Sequence, residues 1–166
     1  MAEVFDTACQ DAEYWIRTLK LQSHAEGGWY REMWRCGQEI PAAALPAEYG
    51  GGRRAASLIY YLLRGEEISA WHKLRSAEIW TWHAGGVLEQ RLGGGGGRPE
   101  AAESRLIGTE SGAGESFLAV VPANTWQTTR IAGGDYVLVS CIVAPAFTPE
   151  DFFMLPAAGK TAEENQ

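Results

Sequence analysis

Ile68-Ser-Ala-Trp-His-Lys-Leu-Arg-Ser-Ala-Glu-Ile-Trp-Thr-Trp-His-Ala-Gly-Gly86 decides the fold. It reads as two strands meeting at a tight turn around Arg75 and Ser76. The two-residue period of a strand puts Ile68, Ala70, His72 and Leu74 on one face, and Glu78, Trp80 and Trp82 on one face of the next strand. Folding at the turn brings His72 and Glu78 toward each other. An imidazole beside a carboxylate on one concave face suits either a metal or a proton transfer.

The flanking chain is a succession of short strands and turn signals. Trp29–Arg35 alternates, with Tyr30, Glu32 and Trp34 on one face and Trp29, Arg31, Met33 and Arg35 on the other. Charge on both faces marks a strand that borders a pocket or a second subunit. Ala56–Leu63 and Asp135–Val143 are apolar strands, the latter the strongest in the chain; Val87–Leu92, Ser104–Gly108 and Glu115–Val121 are shorter. Gly93–Gly97 reads as a flexible hairpin tip. Gln38–Arg54, with Pro41, Pro46 and Gly50–Gly52, reads as a long loop, either an ordered flap over the barrel mouth or a mobile excursion. Its glycines precede a strand rather than a helix, so they do not form a phosphate loop. One helix is expected over Asp6–Lys20, capped by Asp6 or Thr7, with Ala8, Ala12, Trp15, Ile16 and Leu19 as its apolar stripe. The pattern describes an all-β protein, a small barrel or jelly roll with one N-terminal helix. It fits a single domain over residues 1–166: helix at about 6–20, barrel at about 28–155, and a polar, frayed tail over 157–166.

The charge balance narrows the partners. A net charge of −7 argues against a nucleic-acid or anionic-membrane surface. Cys9, Cys36 and Cys141 cannot all pair internally and show no C-x-x-C spacing, so reduced thiols in a cytoplasmic protein are expected. No apolar run approaches the ~18 residues of a membrane span, and the N-terminus lacks the pattern of a signal peptide.

Two segments resemble the paired motifs of the cupin superfamily. His72 takes the first histidine, Glu78 the glutamate and Gly85 the closing glycine of the first motif, while Leu74 stands at its second histidine. Pro122-Ala-Asn-Thr-Trp-Gln127 matches the second motif, with Asn124 for its glycine and Gln127 for its histidine. Asparagine is the residue that next best tolerates the left-handed backbone of that glycine. Together with Glu26-Gly-Gly-Trp-Tyr-Arg-Glu32, Ile59-Tyr-Tyr-Leu-Leu63 and Val143-Ala-Pro-Ala-Phe147, these motifs resemble the cupin-5 family, a domain of unknown function, from about Leu19 to Phe153. The resemblance implies a single small barrel, a double-stranded β-helix, usually dimeric, with no settled reaction.

The site follows from these residues. Cupin metal sites usually offer three histidines and a glutamate. Here a metal would have only His72, Glu78 and the poor amide ligand Gln127, so no cofactor is expected, and a divalent ion would be held weakly. His83 lies five residues past Glu78, on the opposite face of an unbulged strand. His24 sits in a turn beside Glu26, more as a backbone-bonded histidine than as a ligand. Without metal, Glu78 would orient His72 as a general base or acid. Related barrels that epimerise nucleotide sugars pair a histidine base with a tyrosine acid, and Tyr61 or Tyr60 stands on the adjacent strand. Trp80, Trp82 and Trp126, with Gln127, are the expected ligand-binding residues. The expected function is therefore a small-molecule barrel, an isomerase or epimerase on a sugar-like or other small organic ligand. The alternatives are a non-catalytic metabolite-binding module and a weak divalent-metal enzyme. In the plainest reading His72 and Glu78 only satisfy each other. The aromatic strand Trp29–Arg35 points to a homodimer.

Overall fold

Leu58–Leu63 and, but for Ser140, Val137–Val143 are apolar at successive positions because both faces of these strands are covered. The computed structural model describes residues 10–100 and 103–155. Its elements in chain order are α1 (Ala12–Leu19), β1 (Gln22–Ser23), β2 (Trp29–Arg35), β3 (Glu39–Ile40), β4 (Arg53–Arg54), β5 (Ser57–Arg64), β6 (Ile68–Leu74), β7 (Ala77–Leu92), β8 (Glu103–Ile107), β9 (Glu115–Ser116), β10 (Leu118–Val121), β11 (Gln127–Ala144) and β12 (Phe152–Met154). One sheet runs β1-β2-β5-β11-β7-β8-β9, with β6 added to β11, β12 to β6 and β10 to β7. All pairings in it are antiparallel except β8 with β9, and the order has two ends rather than closing on itself. This is the expected all-β architecture with one helix.

Tyr61 and Leu63 of β5, Trp80 and Leu88 of β7, and Val137, Val139 and Cys141 of β11 share the inner face. Leu62 and Leu138 point the other way and are covered by Ile16, Trp15 and Leu19 of α1. Burying each such leucine contributes roughly 1.5–3 kcal/mol. Trp15 packs there as expected, its indole N–H donating to Tyr136 Oη at 3.0 Å. The helix is capped by Asp11, whose Oδ1 accepts from the Tyr14 N–H at 2.7 Å, and ends at Lys20 in the left-handed region. The expected caps Asp6 and Thr7, and the tail over 157–166, lie outside the described residues. Among the described residues no helix is long and apolar enough to cross a membrane.

Four local readings change. β6 and β7 follow one another across Arg75–Ser76 but do not pair; each hydrogen-bonds to β11 instead. A register irregularity opposite Gln127–Thr129 then breaks the strict alternation of β6. Ser69, His72 and Leu74 are the buried positions, and Ile68 is 55% exposed. A bulge between Glu32 and Trp34 likewise resets β2, so Arg35 joins Tyr30 and Glu32 while Trp34 turns out to solvent. Gly93–Gly97 is held rather than free: Gly93 N–H donates to Trp126 O at 2.8 Å and Trp126 N–H to Gly94 O at 2.9 Å. The long segment after Gln38 is ordered as the β3–β4 ribbon with two 3-10 turns between its strands. Asn124 does take the left-handed backbone expected of it, at φ 57°.

The chain after β11 wraps back over the sheet. Phe152–Met154 pairs with Leu74–His72. Buried Asp151 fixes this segment by accepting from Arg53 Nε at 2.7 Å and Arg75 Nε at 2.9 Å.

Candidate functional site

A cavity of about 790 Å³ opens inside the sheet. Glu26, Tyr61, His72, Glu78, Trp80 and Cys141 lie deep in it; Tyr30, Ile59, Leu74 and Phe152 wall it; Glu32, Arg35 and Phe147 belong to the same lining. His72 and Glu78 thus reach one cavity as the sequence predicts. They do so from strands that both hang on β11, not across a hairpin.

The pair itself differs from expectation. His72 Nδ1 lies 2.8 Å from Ala70 O, 3.2 Å from Glu26 Oε2 and 3.3 Å from Ser69 Oγ. A carbonyl oxygen only accepts, so Nδ1 carries the proton and Nε2 the lone pair. Nε2 has no hydrogen-bond partner among the described residues, yet it is not sealed in: the buried side-chain atoms without partners there are Trp80 Nε1 and Thr129 Oγ1. The carboxyl that touches the imidazole is therefore Glu26. Glu78 makes no hydrogen bond with His72 among the described residues and instead accepts from Gln127 Nε2 at 2.5 Å.

Gln127 is the middle of a relay. Arg105 Nε donates to Gln90 Oε1 at 2.8 Å, Gln90 Nε2 to Gln127 Oε1 at 3.0 Å, and Gln127 passes its own N–H to Glu78. Gln127 stands behind Glu78 and is absent from the cavity wall. Gly27 and Gly28 deliver Glu26. Both have positive φ, and a Cβ on Gly27 would fall 2.2 Å from Ile68 O. The next turn bonds Ala70 N–H to Glu26 O at 2.7 Å, which ties the loop to the strand carrying His72.

Burial dominates the protonation states. It pushes the Glu26 carboxyl up, with His24 and the Ser69 hydroxyl pulling the other way. It pushes Glu78 up as well, opposed by His72 and reinforced by Glu26. It lowers His72, against the raising effects of Glu78 and of the Ala70 carbonyl. His24 is lowered by the same cause. The Tyr61 hydroxyl and the Cys141 thiol are pushed well above their usual ranges, first by burial and then by the nearby carboxyls.

The Cupin_5 family, described as Cupin superfamily (DUF985), matches residues 13–155. The chain belongs to this cupin family. Among solved structures it is similar to a hypothetical protein from Leishmania major, at 32% identity over 87% of this chain and 86% of that one, TM-score 0.77. A protein of Shewanella oneidensis is similar at 32% identity, 88% and 85% coverage and TM-score 0.76. A mutant oxalate decarboxylase of Bacillus subtilis shares the fold at 16% identity, over 80% of this chain and 29% of that one, TM-score 0.52. No curated protein matches the chain.

The residues of this cupin do not fit a resident metal. Leu74 puts an alkyl group where a ligand would stand, and Gln127 gives its oxygen to Gln90 and its N–H to Glu78. The conditional set His72, Glu78 and Gln127 is thus not a ligand set here. Among the described residues no three His, Cys, Asp or Glu side chains converge as a metal site needs.

The other expected residues divide. Trp80 is on the cavity wall and 1% exposed, its N–H unpartnered. Trp82 is not on that wall; it keeps the inner face with Trp80 but packs farther along the core, beside Phe117, and its N–H donates to Gly86 O at 2.9 Å. Trp126 also lies away from the cavity, its N–H on Gly96 O at 2.8 Å and Lys73 over its ring. Tyr61 reaches the cavity, but its hydroxyl proton is given to Gly27 O at 2.7 Å, so it is not presented to a ligand. Tyr60 packs on the outer, helix-covered side. Glu26, absent from the expected set, is the carboxyl nearest His72. His24, read as a turn histidine, does accept the Glu26 N–H at 3.2 Å, and its ring also lines the cavity against Tyr30 and Tyr61.

Proposed function

We propose that this cupin binds a small organic molecule, sugar-like or otherwise, and isomerises or epimerises it by metal-free proton transfer to His72. The observation that carries the reading is the state of His72: its Nδ1 proton is held by Ala70 O beside Glu26, and the Nε2 lone pair is left unbonded on a cavity wall. Burial keeps the imidazole neutral near pH 7, which is the form a general base requires. Nε2 takes a proton from substrate carbon, and Glu26 steadies the imidazolium. Glu78, raised by burial, returns a proton to the substrate. One C–H bond breaks and one forms, so no oxidant enters. Tyr61 holds the Glu26–Gly27 loop in place rather than serving as the acid. The test is mass spectrometry of small molecules released from the purified chain, with elemental analysis of the same sample. A released organic molecule that the protein converts to an isomer, with no stoichiometric transition metal, supports the reading. A released molecule left unchanged leaves a binding module, and one tightly held metal per chain contradicts the metal-free scheme.

The pH profile carries the signs of both shifts. His72 must be unprotonated, so activity falls on acidification through a pKa below the usual 6.5. Glu78 must be protonated, so activity falls on the alkaline side through a pKa above the usual 4.5. Glu78→Gln is expected to remove the alkaline limb. Rates measured from pH 4 to 9 would show that loss, and an unaltered profile would exclude Glu78 as the acid.

We further propose a homodimer built on β2, in a cytoplasmic protein whose Cys36 and Cys141 are free thiols. Among the described residues only Trp29 and Tyr30 of β2 pair with β1 and nothing pairs with the edge beyond them, and Met33 and Trp34 are 41% and 51% exposed beside it. Trp34→Arg is expected to convert a dimer into a monomer by light scattering at micromolar protein. A dimer unchanged by Trp34→Arg places the contact elsewhere.

A further inference from the structure

The cavity has an unbalanced charge. Glu26 and Glu78 are both buried in it, and neither is contacted by a lysine or arginine among the described residues. Glu26 has His24 and His72 beside it, at 3.7 and 3.2 Å, and accepts from the neutral Ser69 Oγ at 3.1 Å, and Glu78 has the neutral Gln127 amide. Arg35, the one Lys or Arg on the lining among the described residues, is already engaged: Nε and Nη2 bind Glu32 at 3.1 and 2.6 Å, and Nη1 binds Phe147 O at 2.9 Å. Above the carboxyls stand the rings of Tyr30, Tyr61, Trp80 and Phe152. Aromatic faces attract cations and repel anions. An anionic ligand, whether a carboxylate or a phosphate, would meet two carboxyls and no free cation. A cationic nitrogen would meet two acceptors in an aromatic enclosure.

We infer that the ligand is a small organic cation, an amine or amidine on a flat or apolar body, seated with its nitrogen against Glu26 and Glu78. The claim deepens the small-molecule reading of the same cavity and rests on it. Burial raises both carboxyls in the empty cavity; a bound cation would stabilise the ionised form of Glu26, while Glu78 meets the nitrogen with its carbonyl oxygen and keeps the proton it returns.

Three probes of nearly one shape separate the charge types: benzamidine, benzamide and benzoate. Calorimetric titration of the full chain at pH 7 should show benzamidine binding at least about tenfold tighter than benzamide, with benzoate weakest. Glu26→Gln should reduce benzamidine affinity by about tenfold, Glu78→Gln should change it little, and both should leave benzamide unchanged. Thermal melts identify any variant that fails to fold, and the native series alone then decides. Benzoate binding as tightly as benzamidine, equal affinity for benzamidine and benzamide, no benzamidine binding at all, or an undiminished cation preference in folded Glu26→Gln would each overturn the inference. None of those results bears on proton transfer, which stands or falls with turnover of the released molecule by the native chain and by His72→Ala.

Discussion

His72→Ala is expected to lower turnover by about 10²–10⁴-fold, the usual contribution of a positioned general base, while the protein remains folded. The imidazole sits on a cavity wall with only one ring nitrogen bonded, so its removal enlarges an existing cavity rather than opening one in a close-packed core. It also removes a group that burial holds neutral at a cost. The melting temperature should therefore move by only a few degrees, by the usual scaling for a domain of this size. Activity and melting measured on the same preparation check the two halves together. A variant that unfolds, or one that keeps full activity, shows His72 to be structural.

Asp151→Ala should have the largest effect on stability. The Asp151 carboxylate is buried and accepts from Arg53 Nε and Nη2, Arg75 Nε and Thr148 Oγ1. Truncating it strands the Arg53 guanidinium, whose side chain is 9% exposed. Breaking one side of a buried pair costs about 3–5 kcal/mol, which corresponds to a fall of roughly 6–20 °C in Tm for a domain of this size. Phe152 and Pro149 beside it line the cavity, so ligand affinity should fall as well. The pH dependence has a definite sign. Burial pushes the Asp151 carboxyl up, the two arginines more than reverse this, and the folded value lies below the usual 3.8. Its stabilisation is complete above the unfolded pKa and is lost as pH falls through the folded one. Native protein should thus lose stability on acidification below about pH 4, and the variant should lack that component. A melting temperature within a degree or two of native would contradict the clasp.

The residues that deceived the sequence reading did so for identifiable reasons. His72, Glu78 and Trp80 were legible because strand period and motif spacing survive wherever the ladder is regular. Arg35 was misplaced because a bulge in β2 reverses the parity, and a bulge has no fixed local signature; Trp82 keeps its predicted face but lies beyond the cavity. Asn124 was legible because few residues tolerate a left-handed backbone. Glu26 was missed as the partner of His72 because it sits in a loop before β2, far along the chain from the strand it meets. The available signal was Glu26-Gly-Gly28, an acidic residue ahead of two glycines that must approach another backbone closely. Gln127 looked like a degraded ligand. Its place between Gln90 and Glu78 depends on three strands and could not be read from any one of them. The Asp151 clasp joins residues about a hundred positions apart and left no pattern to find.

The account depends on the tautomer and charge of one imidazole. A long-range ¹H–¹⁵N correlation spectrum of uniformly labelled protein reads both directly, and with only three histidines the His72→Ala spectrum assigns the signals. At pH 7 His72 should appear as the neutral Nδ1–H form, with Nε2 at the shift of an unprotonated nitrogen, and it should titrate below 6.5. A neutral Nε2–H tautomer, or an imidazolium that persists above pH 7, would contradict the proposed base.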